Sequence, residues 1–378
     1  MIENLLIIVT VVLTAHYVFF ILRIYSGLKK LEGSKTKNEI EEFVSVIIPF
    51  RNEENNIATT YNNLINQNYP PKKFEIIFVD DSSDDRSLEI ISSLPKKENV
   101  KIISVPDEFS INAHKKRAIR FGIEKSAGSI IVTTDADCIH NESWLNTLLG
   151  NFDKETGFVS GPVEFISDGT FFGDMQKLEF AGLVITGAGL IGSGSPKICN
   201  AANIAYRREA FKKAGGFIHH MSLSSGDDEL LMQKIHRDTT YKIKFALDKK
   251  CIVLTQVNPD LSSFYHQRKR WASKGLFYGD KLLIIKLILI FLFYLSLILQ
   301  PLWGIIISIK FLCTFFISFL LKIITEYLVL RRGTEMLFEK KILRPFLITE
   351  ILQVPYIIVS GFMGTFGNFT WKNRKIKR

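Results

Sequence analysis

Long apolar segments constrain what this chain can fold into more than any other feature of its sequence. Leu5 to Leu22 contains no Asp, Glu, Lys or Arg, and the chain is again largely apolar from Leu282 to Leu330. Crossing the hydrocarbon core of a bilayer takes roughly 20 helical residues. We therefore expect one membrane-spanning helix early in the chain and at least two later, with a soluble domain between them.

Flanking residues predict the orientation of the first helix. Met1 to Asn4 carries no positive charge, and Arg23 follows the apolar segment directly. This pattern is typical of an uncleaved anchor, at residues 1–25, and not of a signal peptide. Basic residues recur within 23–37, and such charge favours the cytoplasmic side. We expect a multi-pass protein of a bacterial-type inner membrane, with its soluble domain in the cytoplasm.

Pro301 interrupts the later apolar region and predicts a turn between two spanning helices, at about 282–300 and 303–325. A basic loop at 331–344 follows, and then a last apolar stretch at 346–366. That stretch fits either one more crossing or a re-entrant or interfacial hairpin. The predicted C-terminal regions are a transmembrane or interfacial region at 281–367 and a basic tail at 368–378.

The net charge of +10 indicates a partner for the basic residues. Much of the excess adjoins the apolar segments, at 23–37, 331–344 and 372–378. Anionic lipid headgroups are therefore the expected partner, and nucleic acid is not. The four cysteines are far apart and have no CxxC spacing, which predicts neither a zinc site nor a disulfide framework and fits a reducing compartment.

From residue 43 the pattern alternates between apolar strands and helices. The predicted strands are 44–48, 75–79, 100–105 and 129–133, and the predicted helices are 53–66, 84–93 and 113–125. Such alternation predicts an open, right-handed, parallel α/β sheet of Rossmann-like type, with ligands beyond the carboxyl ends of the strands. No repeat or long Pro/Gly linker interrupts residues 40–275, so we expect one continuous domain there.

Polar residues follow three of these strands at the point where each strand ends. The segments are Pro49 to Glu53, Asp80 to Asp81, and Asp135 to Asp137. Two carboxylates that straddle one residue can hold a divalent cation together with diphosphate oxygens, and hard oxygen ligands favour Mg2+ or Mn2+. Either acidic pattern alone is common in surface turns. Their shared placement at strand ends is what predicts a ligand site.

The order of these segments resembles the inverting family 2 glycosyltransferases, which have a GT-A fold. VSVIIPFRNEENNI, EIIFVDDSSDD and IIVTTDADC are similar to the family's strand-end motifs, HKKRAI resembles GKxxAL, SGDDELL resembles its acidic base motif, and QRKRW reproduces QxxRW. The motifs cover roughly 40–275. In the family, QxxRW is typical of membrane-embedded members. These include synthases of cellulose, hyaluronan and poly-N-acetylglucosamine as well as ceramide glucosyltransferase-like enzymes that add one sugar.

The resemblance implies roles for the donor side of the site. Pro49 and Glu53 would line the nucleotide pocket. Asp81, with Asp80 behind it, would contact the base. Lys115 would approach the phosphate or ribose of the donor. A uridine diphosphate sugar is the donor expected from the family.

The resemblance also implies the groups that act at the diphosphate and at the acceptor hydroxyl. Asp135 and Asp137 would bind the diphosphate and the metal, Asp137 more directly. Asp228 would be the base, since an inverting transfer needs one carboxylate to deprotonate the attacking hydroxyl. Because this motif has Asp227 where the family commonly has Glu, either Asp227 or Asp228 could face the acceptor. Without the other motifs, acids here would equally suit the start of a helix.

Gln267 and Arg270 offer hydrogen-bond donors to a diphosphate, and Trp271 offers a flat face for an acceptor sugar. A basic amphipathic helix at the membrane surface would explain the same residues. Asn203 lies in the segment 200–208, which resembles the segment beside the acceptor. A buried strand followed by a helix is the other interpretation of that segment.

Together these observations predict an inverting glycosyltransferase that moves a sugar from a nucleotide sugar to a lipid-linked or polysaccharide acceptor, with single addition favoured over a polymer channel. A transporter is disfavoured because Lys286, Gln300, Lys310 and Glu326 are few polar residues for a path through the spans. A non-catalytic scaffold of the same fold and a nucleotidyltransferase are the alternatives. The latter usually has an early Gly-rich phosphate loop, which PFRNEEN lacks.

Overall fold

The computed structural model describes residues 1–33, 40–109, 114–217, 226, 228–272, 278–366, 369–371 and 374–376. Its strands are β1 (Val44–Phe50), β2 (Phe74–Asp80), β3 (Val100–Ser104), β4 (Ile130–Thr133), β5 (Ile139–His140), β6 (Thr156–Ser160), β7 (Val163–Ile166), β8 (Ile204–Arg207), β9 (Lys242–Phe245), β10 (Val253–Gln256), β11 (Phe369–Trp371) and β12 (Arg374–Ile376). Its helices are α1 (Ile2–Glu32), α2 (Ile57–Ile65), α3 (Ser87–Ser93), α4 (His114–Lys125), α5 (Trp144–Leu149), α6 (Phe171–Gly192), α7 (Arg208–Lys213), α8 (Glu229–Asp238), α9 (Leu261–Ala272), α10 (Lys281–Ile306), α11 (Lys310–Leu337) and α12 (Phe346–Phe366).

A seven-stranded sheet in the order β3-β2-β1-β4-β8-β6-β9 forms the centre of the soluble part. Strands β3, β2, β1 and β4 are parallel, as predicted. Strand β8 is antiparallel to both β4 and β6, so the prediction of a wholly parallel sheet is wrong beyond β4. A short buried strand has the same apolar pattern in either direction, so the sequence did not reveal this reversal.

The apolar core on one face of the sheet continues into the first long apolar helix. All seven residues of β1 are buried, and alternate side chains point to opposite faces. Ile47, Ile77 and Ile131 belong to one hydrophobic cluster with Ile185 of α6 and Ile24 of α1. The soluble part and the first apolar helix therefore share one core.

Four helices, α1, α10, α11 and α12, are long and apolar enough to cross a membrane. Helix α10 continues through Pro301, and the chain turns only after Ile306, so the predicted turn at Pro301 is wrong. Membrane helices tolerate proline where neighbouring groups satisfy the freed backbone carbonyl. The turn lies beside Gly304, where an added Cβ would approach the Leu312 side chain to 2.6 Å.

Helices α11 and α12 show the structure of the predicted basic loop and of the last apolar stretch. Residues 331–337 of the predicted basic loop belong to α11. The last apolar stretch forms one helix, and Pro355 lies inside it. This single helix excludes a hairpin within 346–366 and is compatible with one more crossing.

A buried ionic cluster joins the four long apolar helices. Lys322 is fully buried on α11; its Nζ lies 3.0 Å from Glu326 and forms an ion pair with Glu350 of α12. The hydroxyl of Tyr17 on α1 bonds to Glu326 and lies 3.0 Å from that of Tyr294 on α10. The sequence-based inventory of polar residues in the spans omitted Lys322 and Glu350. Lys322 and Glu350 join α11 to α12, and the hydroxyls of Tyr17 and Tyr294 extend the cluster to α1 and α10.

Glycines bring α1 and α6 into direct backbone contact. A Cβ on Gly27 would lie 1.8 Å from the carbonyl oxygen of Gly189, and one on Gly192 would lie 2.2 Å from the carbonyl oxygen of Gly27. Atoms cannot approach so closely, so any side chain at these positions would force the two helices apart. Small residues at a helix crossing permit this packing.

We expect Gly27→Ala to lower the free energy of unfolding by about 2 kcal/mol, because overpacking at a backbone contact outweighs the gain in helix propensity. Thermal unfolding in detergent would measure the change. Gly182→Ala is the matched control, since its Cβ would meet Leu330 at an ordinary 3.4 Å. Equal unfolding midpoints for the two variants would contradict this account of the crossing.

Candidate active site

The loops after β1 and β2 are bound to each other at the carboxyl edge of the sheet. Nη1 of Arg51 donates to the Asp81 carbonyl oxygen at 2.9 Å, and its Nη2 lies 2.6 Å from Asp84. Asn52 and Ser82 have φ of 54° and 59°, a conformation in which side chains other than Asn and Asp are uncommon. The two loops therefore form one stiff rim beyond the ends of the parallel strands.

A cavity of about 540 Å3 opens beside this rim, within the size range of small-molecule sites. It brings together most of the predicted site residues, from distant parts of the chain. Those on its wall are Pro49, Glu53, Asp81, Lys115, Asp135, Asp137, Asp228, Gln267, Arg270 and Trp271. Motifs that lie far apart in the sequence therefore line the same cavity.

On one side of the cavity, the Asp81 carboxylate is nearly buried and lies 3.1 Å from Nε of Arg117 on α4. Asp80 is turned inward. It is 4% exposed, and its Oδ1 accepts hydrogen bonds from the backbone nitrogen and hydroxyl of Ser83. Asp81 lines the cavity, and Asp80 is not among the lining residues. Sequence reasoning missed Arg117, which only the packing of α4 against the strand ends brings to Asp81.

The two aspartates after β4 differ in their surroundings. Asp135 is half-buried, and its Oδ1 lies 2.5 Å from Nζ of Lys115. Asp137 is exposed. Among the described residues, no group of three or more His, Cys, Asp or Glu side chains is arranged to hold a metal ion. A cation here would take at most this pair of carboxylates from the described part and further oxygens from a ligand or water.

Asp228 lies on the cavity wall and also caps α8. Its Oδ1 accepts from the backbone nitrogen of Glu229 at 2.7 Å, and its Oδ2 accepts from that of Ala201 at 3.1 Å. These two bonds fix the direction of the carboxylate. The capping interpretation of this motif is therefore correct, and it does not exclude a role for Asp228 in the site, because the residue also lies on the cavity wall. Asp227, the alternative base, lies outside the described residues.

Glu229 and Tyr278 form a hydrogen-bonded pair on the same wall. The Tyr278 hydroxyl donates to Oε1 of Glu229 at 2.6 Å. Burial and the nearby Glu229 carboxylate raise the pKa of Tyr278, so its hydroxyl stays protonated and keeps its role as a donor. Neither residue was among the predicted site residues. The aromatic enrichment after QRKRW was the available signal for Tyr278.

An apolar wall completes the cavity. Phe180, Leu183, Val184 and Gly187 of α6 line it at the spacing of one helical face. Trp271 of α9 lies beside them, its ring centroid 5.9 Å from that of Phe180. The opposite face of α6 contacts α1, so the cavity wall and the contact with the first apolar helix belong to the same helix.

The structure contradicts the prediction that Asn203 lies beside the acceptor. Asn203 is fully buried. Its Nδ2 donates to the carbonyl oxygens of Pro162 and Cys251, and its Oδ1 accepts from Nε1 of Trp144. These bonds join three segments of the core and leave the amide inaccessible to a substrate. The segment 200–208 does form a buried strand followed by a helix, while Asn200, Ala201 and Ala202 at its start line the cavity. The two interpretations of this segment are therefore compatible, and it is the Asn203 side chain that lies in the core.

Comparison with known proteins agrees with this geometry. Residues 45–215 match the family described as glycosyl transferase family 2. Glycosyltransferase AglE of Haloferax volcanii is 30% identical over 216 residues, 54% of this chain and 65% of that protein. Poly-beta-1,6-N-acetyl-D-glucosamine synthase of Staphylococcus epidermidis is 24% identical over 249 residues, 64% and 56% respectively. The match therefore spans less than two thirds of the length of either relative.

One solved structure is similar over nearly the whole chain. It is the mannosyltransferase PcManGT from Pyrobaculum calidifontis, in complex with GDP-Man and Mn2+. The TM-score is 0.56 and the identity 18%, over 94% of this chain and 99% of that one. Similarity at this identity concerns the fold, and it confirms the predicted GT-A-like α/β fold, here with a mixed sheet.

We expect Arg117→Met to weaken nucleotide binding at least tenfold and to lower the free energy of unfolding by about 3 kcal/mol, because it removes the cation beside a nearly buried carboxylate. Arg120→Met on the same helix breaks an exposed pair with Glu124, worth about 0.4 kcal/mol, and a cation–π contact with Phe109 at 5.7 Å, but leaves the Asp81 pair intact. Titration with UDP and GDP and thermal unfolding would measure both effects. Similar losses in the two variants would refute the importance of the Asp81 pair.

Proposed function

Because residues 45–215 match the family described as glycosyl transferase family 2, we propose that this protein is a membrane-bound inverting glycosyltransferase. It moves a sugar from a nucleotide sugar to a lipid-linked or polysaccharide acceptor. One observation carries the proposal. The carboxylates of Asp135, Asp137 and Asp228 meet the α9 residues in one cavity at the carboxyl edge of a GT-A-like sheet.

The donor would bind with its nucleotide beside the rim and its diphosphate toward Asp135 and Asp137. A uridine diphosphate sugar is the proposed donor, on the resemblance of the strand-end motifs. Lys115 and Arg270 line the cavity and can neutralise diphosphate oxygens through charge-assisted hydrogen bonds. Asp81 is suited to accept from the base. Nucleotide contacts are shared among sugar donors, so the sugar would be selected elsewhere on the cavity wall.

The donor atoms at the site fit a divalent cation. Asp137 is exposed on the wall, and Asp135 is two residues away; both offer hard oxygen ligands suited to Mg2+ or Mn2+. Mg2+ in particular binds through one or two carboxylates plus substrate phosphates, which matches the two carboxylates of this motif. When bound, the ion would offset negative charge that develops on the leaving diphosphate.

Asp228 is the proposed base. It would accept the proton of an acceptor hydroxyl while that oxygen attacks the anomeric carbon and the bond to the nucleoside diphosphate breaks on the opposite side. The two backbone bonds to its oxygens support this role because they hold the carboxylate toward the cavity. Trp271 and the apolar face of α6 would hold the acceptor sugar and exclude water.

The membrane helices would keep the enzyme next to an acceptor carried by the membrane. We propose that α1, at the predicted anchor 1–25, directs the domain at 40–275 to the cytoplasm, and that the region 281–367 completes the membrane part. Basic residues at the end of α1, Lys29 and Lys30, support this orientation.

Release of nucleoside diphosphate by detergent-purified protein tests the activity, with a panel of UDP-sugars and GDP-mannose and with Mg2+ or Mn2+. We expect Asp228→Asn to lower kcat about 1,000-fold, the scale of a lost general base, and Asp137→Ala to abolish the response to added metal. Asp238→Asn, at the other end of α8, is the control and should retain wild-type turnover.

Turnover that survives in both Asp228→Asn and Asp137→Ala would refute the assigned site. A wild type that binds donor but never releases nucleoside diphosphate, with lipid or glycan extracts present as acceptor, would instead support a scaffold of the same fold.

The orientation can be tested by labelling with a membrane-impermeant maleimide, in a background where Cys199 and Cys313 are replaced by Ser. We expect Lys154→Cys, exposed on the soluble part, to react only after bacterial host cells are lysed. Asn4→Cys, before the first span, should react in intact cells. The reverse pattern would place the domain on the outer side.

A further inference from the structure

Arg268 is the one residue of the QRKRW segment that is turned away from the cavity and into the core. It is 2% exposed, whereas Gln267, Arg270 and Trp271 line the cavity. Its Nε lies 3.1 Å from Oε1 of Glu179 on α6, and its Nη2 pairs with the other carboxylate oxygen. The guanidinium is thus held by a two-pronged ion pair, the strongest geometry available to arginine.

Aromatic rings enclose this ion pair, and α12 reaches it from the membrane part. The Arg268 guanidinium carbon lies 4.6 Å from the Phe264 ring centroid and 4.3 Å from that of Trp271, within the range of cation–π attraction. The hydroxyl of Tyr356 on α12 donates to Oε1 of Glu179 at 3.1 Å. Helices α6, α9 and α12 therefore meet at one buried charge.

The same arginine determines which way Gln267 points. Nη1 of Arg268 donates to Oε1 of Gln267, and Nδ2 of Asn258 donates to the same oxygen at 3.1 Å. Two donors on the carbonyl oxygen fix the side-chain amide, because its NH2 group cannot occupy the same place. Among the described residues, Nε2 of Gln267 has no hydrogen-bond acceptor, so its protons are left for a ligand in the cavity.

Stability alone does not account for such an arrangement. A buried ion pair is often no more stabilising than apolar side chains of the same volume, whereas its geometry is more specific. Here the specific outcome is the direction of one amide, that of Gln267.

We propose that Arg268, Glu179 and Tyr356 form a positioning cluster that aims the Gln267 amide into the cavity and makes its aim depend on membrane helix α12. The inference rests on the proposed function, since the amide would serve the donor diphosphate or an acceptor hydroxyl. Arg268 touches no substrate in this scheme and acts through Gln267.

A double-mutant cycle between Arg268→Met and Gln267→Ala tests the proposal by nucleoside diphosphate release. We expect Arg268→Met to lower kcat/KM roughly 10- to 100-fold, the scale of a small misplacement in an active site. The double variant should fall no lower than Gln267→Ala alone, because Arg268 acts through that amide. If the double variant instead loses kcat/KM by the product of the two single-variant losses, the proposal is wrong.

Lys269→Met is the matched control, since Lys269 is the next residue of α9 and makes no side-chain hydrogen bond or ion pair among the described residues. It should stay within twofold of wild type. If Arg268→Met does not fold, Glu179→Gln keeps the shape of the cluster and removes its negative charge, and the same cycle applies. Arg268→Lys retains charge without the fork and should recover only part of the activity.

Dependence on the membrane helix is tested by Tyr356→Phe, which deletes one hydroxyl. We expect Tyr356→Phe to lower kcat/KM about threefold to tenfold. In a Gln267→Ala background, the same substitution should leave kcat/KM unchanged. An undiminished rate would refute the part of the proposal that concerns α12.

Binding of UDP and GDP with Mn2+ separates this inference from the proposed function. If wild type binds either nucleotide but transfers no sugar, the proposed function fails, and the cycle is then evaluated on the dissociation constants. Non-additive losses in binding would still support the positioning cluster. Turnover with additive losses would overturn the cluster and leave the glycosyltransferase proposal intact.

Discussion

Helix α6 packs against the apolar helix α1 on one face and lines the candidate active-site cavity on the other, and the rest of the structure depends on this double contact. Gly189 and Gly192 allow α1 to approach backbone to backbone, while Phe180 and Val184 face the cavity. A close-packed interior transmits displacement and does not absorb it. The first apolar helix is therefore part of the construction of the site, and a change in its position would move the cavity wall.

Opposite charges allow several acids to stand close together in the cavity. Asp81 is paired with Arg117, Asp135 with Lys115, and Glu229 accepts from Tyr278. Unpaired carboxylates at such burial would raise each other's pKa and resist sharing a site. These cations and donors therefore offset the negative charge of the acids on the cavity wall.

Buried polar groups specify how the membrane helices are arranged. Apolar side chains pack against lipid tails as readily as against each other, so they select neither register nor partner. The Lys322 cluster accepts only one alignment of α11 with α12, and Glu179 with Tyr356 accepts only one alignment of α12 with α6 and α9. The first contact joins two apolar helices to each other, and the second joins α12 to the part of the chain that carries the sheet.

Much of the architecture could be predicted from the sequence because its causes are local. Apolar runs of bilayer length marked the spans, and β-branched runs marked the first four strands to within one or two residues. The resemblance of the ordered motifs to a known family implied site roles for ten residues that line one cavity.

Only the tertiary structure decided the remaining features, because each depends on partners remote in the chain. Arg268 and Glu179 are 89 residues apart, and Tyr356 and Glu179 are 177 apart. Asn203 looked available until its amide was placed among three core segments, and Pro301 looked like a turn until packing kept it helical. The sequence by itself determined which groups the protein possesses and where its strands and spans lie. Folding decided which of those groups face the cavity, since burial and pairing are properties of the assembled core.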